Sequence, residues 1–252
     1  ASYGVDLNPL PGLHLTQMFE AMDEGAIKTL YVIGENPADS EADVGHTRKL
    51  LSELDFLVVQ DIFLTRTAEL ADVVLPATVG WAEAEGTVTS SERRVQRVRP
   101  AVQGPVGARD DHLIIGDLAK RLGAKWLAES AEELWDEVRS LSPMHAGMTY
   151  ERLEKLDGIQ WPCPDITHPG TPFLHDWLWQ EDLNGNPRAP FSVTNHEGPK
   201  EQLSDDFPIR LTTGRALDSY NTGVQSRGYN SPIRSGARRQ ISDAAASSLA
   251  PI

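Results

Sequence analysis

Two short polar stretches follow apolar runs at equivalent places in this chain, and both carry residue types that hold hydrogen-bonding or anionic ligands. The first is Gly34, Glu35, Asn36 and Pro37, after the run 29–33. A glycine lets a ligand approach the backbone, and a helix N-terminus just beyond it favours an anion. Asn36 or Ser40 can bond a phosphate, a sugar or a base. The second is Gln60 and Asp61, after the run 55–59 and ahead of Thr65 and Thr67. A carboxylate there can accept from a guanine edge or a ribose hydroxyl. Alone, each stretch is also an ordinary turn, with Gly and Pro as punctuation and a polar residue capping the next helix. Together they are more specific, because neighbouring strand ends of one sheet line one cleft.

Three more clusters carry two readings each. Arg93, Arg94, Arg97 and Arg99 can meet phosphate, but pairing with Glu83, Glu85 and Glu92 is the expectation for a surface cluster. Arg109, Asp110 and Asp111 open a helix over 111–122, where Asp is standard capping and dipole chemistry. A ligand contact by Asp111 would be an added role. Thr212, Thr213, Gly214 and Arg215, followed by Tyr220, Asn221 and Thr222, can form an oxyanion cradle or a polar loop joining strands. Cys163, between Pro162 and Pro164, reads as structural, because no basic residue stands nearby in the sequence to favour a thiolate. The 7 histidines have no ligand spacing, and no P-loop, Gly-x-Gly-x-x-Gly or Gly-x-Ser-x-Gly is present.

These residues need a scaffold. Leu15, Met18, Phe19 and Met22 have helical spacing, with Gly25 as a stop. Short apolar strands are expected at 29–33, 55–59 and 72–76. Helices are expected at 43–54, with Leu50, Leu51 and Leu54 on one face, and at 111–122, with Leu113, Ile114, Leu118 and Leu122 inward. Continuous apolar strands alternating with helices predict an α/β, Rossmann-like parallel sheet covered on both faces. A small hairpin is expected around 95–98. Ser130 and Glu133 have capping-box spacing and open a helix carrying Leu134, Trp135, Val138 and Leu141. Residues 143–200 show no sustained period, yet Trp126, Trp135, Trp161, Trp177 and Trp179 make them unlike a disordered linker. A strand begins at 207 and runs into Gly214. The expected organisation is therefore an α/β domain over 1–125, an irregular connecting segment with short helices over 126–205, and the truncated start of a β-barrel domain over 206–252.

Composition narrows the function. The formal charge of −14 repels phosphate backbones, so nucleic acid is not an expected partner. One cysteine cannot build a disulfide, a zinc site or an iron–sulfur cluster, and it suits a reducing, cytoplasmic setting. No apolar run is long enough for a membrane span, and the N-terminus has no signal-peptide pattern. The chain starts at Ala1 without Met, and is expected to be part of something longer.

Taken in order, several segments resemble a known family. They are Ile33 to Pro37, Val59 to Thr65, Ala68 to Ala77, Glu85 to Thr89, Glu92 to Val98, Gln160 to Pro164 and Leu211 to Arg215. The chain is similar to the catalytic subunits of formate dehydrogenases in the molybdopterin (dimethyl sulfoxide reductase) superfamily. The resemblance covers about 5–235. It implies one bis-molybdopterin guanine dinucleotide with Mo or W per full-length subunit, and oxidation of formate to carbon dioxide. Gly34, Glu35, Asn36, Ser40, Gln60, Asp61 and Asp111 would line a guanine dinucleotide. Thr213, Gly214, Arg215, Tyr220, Asn221 and Thr222 would approach the pterin. The family's cluster cysteines and its metal-ligating Cys or selenocysteine have no counterpart here. The implied partners are therefore the N-terminal part of the same subunit and electron-transfer subunits, and the fragment is expected to be inactive alone. Rival readings are a complex I-type large subunit without the metal cofactor, another superfamily member such as a nitrate reductase, and a free-standing nucleotide-binding module.

Overall fold

The first helix, α1 (Leu15–Asp23), starts with a reciprocal cap. The His14 ring accepts from the Gln17 backbone N–H at 3.3 Å, and the Gln17 side chain accepts from the His14 N–H at 3.2 Å. The computed structural model describes residues 8–126, 130–175, 191–200 and 202–210. The chain divides into two units, Ala1–Arg188 and Ala189–Ile252, and every helix and strand given below lies in the first.

After α1 come β1 (Thr29–Ile33), α2 (Pro37–Ser40) and α3 (Val44–Ser52). Pro37 sits in the first turn of α2, where its missing N–H has no intrahelical partner to lose. Asp43 caps α3 by accepting from the His46 N–H at 3.0 Å. Next are β2 (Phe56–Asp61), α4 (Arg66–Glu69) and β3 (Val73–Pro76). β2 runs two residues past the apolar run, so Gln60 and Asp61 belong to the strand itself rather than to the turn after it. Pairing explains the extension: Gln60 and Asp61 face Leu75 and Pro76 in the ladder, and the Gln60 carbonyl accepts from the Gly34 N–H at 2.9 Å.

The sheet order is β1-β2-β3, all parallel, with Leu30 opposite Leu57 and Ile33 opposite Gln60. Strand alternation puts Leu30, Val32, Leu57 and Val59 on one face, where they join Met22 of α1 and Leu50 and Leu51 of α3 in a buried cluster. Full burial of each large aliphatic side chain contributes about 1.5–3 kcal/mol. The second face was expected to be covered too. Among the described residues it leaves Ile33, Phe56 and Val73 exposed.

A second sheet follows. β4 (Gly86–Thr89) and β5 (Arg94–Val98) form the expected hairpin, antiparallel, with Thr89 opposite Val95. α5 (Asp111–Arg121) buries only Ile114 and Ala119, while Leu113, Leu118 and Leu122 stay exposed. Periodicity identifies which residues share a stripe, not whether a neighbour covers it. α6 (Ala131–Leu141) begins with the predicted Ser130–Glu133 capping box. Its apolar stripe is incompletely covered: Val138 and Leu141 are exposed, and Trp135 donates to the Met148 carbonyl at 2.6 Å.

Residues 143–200 contain a short helix, as expected of the connecting segment, and a short strand besides. α7 (Tyr150–Lys155) and β6 (Ile159–Gln160) are too short to show a period, yet β6 pairs antiparallel with β5. That pairing joins residues on either side of position 125. Val95, Met148, Tyr150, Leu153, Ile159 and Cys163 form a second buried cluster, with Trp135 and Trp161 against it. In the second unit, residues 207–210 are not in a strand, and Ser204 and Phe207 exchange backbone hydrogen bonds of 3.2 and 3.1 Å.

Candidate functional site

The carboxyl ends of β1 and β2 and the N-terminus of α5 meet around one buried side chain, Gln60, which has 0% exposure. Its amide Nε2 donates to Asp111 Oδ1, and its Oε1 accepts from the Tyr31 hydroxyl. An ionised carboxylate only accepts, so the amide N–H must face Asp111 and the phenol must be the donor at the other end. Three residues far apart in sequence thus form one polarised chain across the second sheet face. No motif in the sequence marks Tyr31 as a site residue. Its only sequence signal is the alternation that puts it with Ile33 on the face away from Leu30 and Val32.

Asp61, beside Gln60 at the end of β2, accepts from the Phe63 N–H at 3.0 Å. Burial raises its carboxyl above the usual aspartate range, opposed by the N–H groups of Phe63 and Ile62, and the nearby charge of Asp111 raises it further. The Tyr31 phenol is also raised, first by burial and then by Asp111. The Asp111 charge thus acts on both Asp61 and Tyr31, and a carboxylate at this crest suits a ligand edge made of hydrogen-bond donors. Asp110, the residue before α5, makes no side-chain cap. Its Oδ1 accepts instead from the Thr78 hydroxyl at 2.6 Å, while an Ala77–Arg109 bridge ties the approach to α5 alongside the end of β3.

Gly34 has φ +63°, which permits the sharp exit from β1, and a Cβ built there would meet nothing within 4 Å. The crest is open at that point. Asn36 is different: it is 2% exposed and its side chain is engaged inside the protein. Its Oδ1 accepts from the Thr67 hydroxyl at 2.8 Å and the Thr67 N–H at 3.2 Å, and its Nδ2 donates to Asp39 at 3.1 Å. The Thr67 hydroxyl in turn accepts from the Ala38 N–H at 3.1 Å. Asn36 therefore braces α2 against α4. Glu35 and Ser40, with Tyr31, Ile33, Met18 and Phe19, line a cavity of about 350 Å³ between α1 and the end of β1. Thr213, Gly214, Arg215, Tyr220, Asn221 and Thr222 lie outside the described residues.

The arginine cluster is largely paired within the protein. Arg94 meets Glu92 at 2.8 Å, Arg97 pairs with Glu85, and Arg99 pairs with Glu154. Glu83, an expected partner, accepts from the Val79 N–H at 3.0 Å instead. Arg93 donates to the carbonyls of Trp161, Thr171 and Pro172. Cys163 is buried, and the fold brings Arg152 Nη1 to 3.4 Å from its sulfur, a neighbour the local sequence does not supply. Among the described residues, no group of three His, Cys, Asp or Glu side chains is arranged to hold a metal, and no helix is long and apolar enough to cross a membrane.

Residues 4–121, which contain the whole parallel sheet and its crest, match the family described as Molybdopterin oxidoreductase. The chain carries a molybdopterin oxidoreductase domain over these residues. The chain is 46% identical over 224 residues to the F420-dependent formate dehydrogenase 2 subunit alpha of Methanococcus maripaludis, covering 88% of this chain and 32% of that protein. It is 37% identical over 235 residues to the assimilatory nitrate reductase catalytic subunit of Bacillus subtilis, covering 89% of this chain and 32% of that one. Among solved structures, acetylene hydratase from Pelobacter acetylenicus superposes with a TM-score of 0.48 at 27% identity, over 58% of this chain and 20% of the other. The chain spans about a third of the length of these curated relatives.

Proposed function

We propose that this chain is part of a formate dehydrogenase and holds the guanine end of a bis-molybdopterin guanine dinucleotide. The carrying observation is the Asp111 carboxylate at the N-terminus of α5, held by buried Gln60 at the carboxyl end of β2, the strand that also ends in Asp61. Guanine presents N1–H and a 2-amino group on one edge, and carboxylates are the acceptors that match donors. The open crest at Gly34 gives a nucleotide room to approach the backbone. The fit is to a base or sugar with donors, since two carboxylates repel a phosphate.

Gly34, Glu35, Ser40, Asp61 and Asp111 would hold one dinucleotide, while buried Gln60 would support Asp111 and Asn36 would keep α2 in place. Thr213, Gly214, Arg215, Tyr220, Asn221 and Thr222 would meet the pterin portion. The bound group, with Mo or W, supplies the two-electron redox centre: formate gives carbon dioxide, one proton and two electrons. Electrons would leave through an iron–sulfur cluster whose ligands are not in this chain, toward electron-transfer subunits, in a cytoplasmic enzyme. The contribution of these residues is binding and orientation, and the chain by itself is expected to be inactive. Formate is favoured over nitrate by the higher identity to the formate dehydrogenase subunit, 46% against 37%.

Calorimetric titration of the purified chain with guanosine diphosphate tests the site. Binding that Asp61→Ala weakens at least tenfold, with adenosine diphosphate binding more weakly than guanosine diphosphate, is the expected result. A folded chain that does not distinguish the two nucleotides overturns it. For the substrate, the full-length subunit should reduce a dye with formate and not oxidise a reduced dye with nitrate.

A further inference from the structure

We propose that the Tyr31 hydroxyl is a positioning group for base recognition, acting through Gln60 to set the orientation of the Asp111 carboxylate. This rests on the reading of the crest as a guanine-nucleotide site, and goes beyond it by assigning a residue and a mechanism of selectivity.

A buried primary amide has two orientations that differ little in shape but are opposite in polarity. Gln60 is fully buried, so it must satisfy both ends from the protein. If its Oε1 faced Asp111, two acceptors would meet without a proton between them, a costly arrangement away from water. The Tyr31 hydroxyl, on the neighbouring strand, fixes the choice by donating to Oε1. The amide N–H is then committed to Asp111 Oδ1. Asp111 itself is exposed at the start of α5, where a short side chain can adopt several rotamers in the absence of a tether. With Oδ1 held by Gln60, Oδ2 is the acceptor offered to an incoming donor. The register makes the chain possible: Ile33 lies opposite Gln60, so Tyr31, two residues earlier on β1, stands on the same face and reaches forward along it.

The device discriminates between purines. A carboxylate oxygen held in place attracts guanine N1–H and repels adenine N1, which is an acceptor. A carboxylate free to turn away does neither well. Phenylalanine at position 31 keeps the ring and removes only the hydroxyl whose proton orients the amide. The effect should therefore fall on selectivity more than on folding.

Two measurements on the 252-residue chain separate the possibilities. The first needs no ligand. In the wild type, selectively labelled Gln60 should show side-chain amide protons in slow exchange with water, and Tyr31→Phe should speed that exchange. Unchanged exchange in Tyr31→Phe overturns the proposal, whatever the nucleotide data. The second is calorimetry with guanosine diphosphate and adenosine diphosphate on the wild type, Tyr31→Phe and Asp111→Asn. The ratio of the two affinities should fall about tenfold in Tyr31→Phe, in line with the loss of one oriented charge-assisted hydrogen bond, and at least as far in Asp111→Asn. A parallel loss of both affinities, or an unchanged ratio, leaves Tyr31 a structural residue and sinks the idea. A wild type without preference for guanosine diphosphate refutes the guanine site itself. In that case the Gln60 exchange still reports whether the hydrogen-bond chain exists, so the two failures are told apart.

Discussion

Thr67 and Asn36, 31 residues apart in sequence, hold each other in the buried seam between α2 and α4. The Thr67 hydroxyl donates to Asn36 Oδ1 at 2.8 Å and accepts from the Ala38 N–H at 3.1 Å, so one side chain satisfies two helices. Removing the hydroxyl while keeping the shape leaves a buried N–H and part of a buried amide unsatisfied. Thr67→Val is expected to cost about 1–3 kcal/mol in urea denaturation, and Thr67→Ser much less. Equal stability of the two variants would show that the seam does not depend on this hydroxyl.

Leu51 is 1% exposed in the first cluster, between α3 and the parallel sheet. Leu51→Ala should lower stability by about 2–5 kcal/mol, as transfer and cavity terms add. The exposed Leu122, at 79%, serves as the control, since Leu122→Ala should change the denaturation midpoint little.

Two glycines should fail for different reasons. At Gly34 the difficulty is the positive φ of +63° with open space around it, so Gly34→Ala should cost about 1 kcal/mol. At Gly147 an added Cβ would lie 1.9 Å from the Asp165 carbonyl oxygen, so the chain must move apart. Gly147→Ala should be the more damaging of the pair in thermal melts.

Asp61 gives a pH dependence whose sign can be worked out. Its carboxyl is raised in the fold, chiefly by burial, so the folded protein binds the proton more tightly than the unfolded chain. The ionised form then disfavours folding, and that penalty is present above the folded value and absent below the ordinary aspartate value near 3.9. Asp61→Asn should melt higher than the wild type at pH 7, with the difference closing on acidification. A difference that widens toward low pH would reverse the assignment.

His145 packs against Trp135 and Trp161, with ring centroids 5.8 and 6.3 Å away, and burial lowers its tendency to take a proton. The unfolded chain binds that proton first, so stability is present above the ordinary histidine value near 6.5 and is lost as pH falls through the lower folded value. Replacement by Asn should flatten the melting temperature between pH 7 and 5. A slope that stays the same would assign the pH dependence elsewhere.

The sequence by itself determined the local elements wherever one side chain or one short pattern decides them. The apolar run of β1 matches its strand end to end, and the Ser130–Glu133 spacing marks the start of α6. The ordered segments from Ile33 to Arg215 carry the family resemblance. Capping and strand propensity act over a few residues, which is why they are legible along the chain. Tertiary structure decided the rest. Leu118 and Leu122 have the same apolar character as Leu51, yet only Leu51 has a neighbour to cover it. α7 and β6 were not visible, because six and two residues carry no period; their place comes from β5 and the second cluster. At the site, Gln60 and Asp61 could be picked out as polar residues near a strand end. What Gln60 does could not, because its role is set by Tyr31 and Asp111 from other elements. Hydrogen-bond polarity is a property of neighbours in space, and only the fold assigns those neighbours.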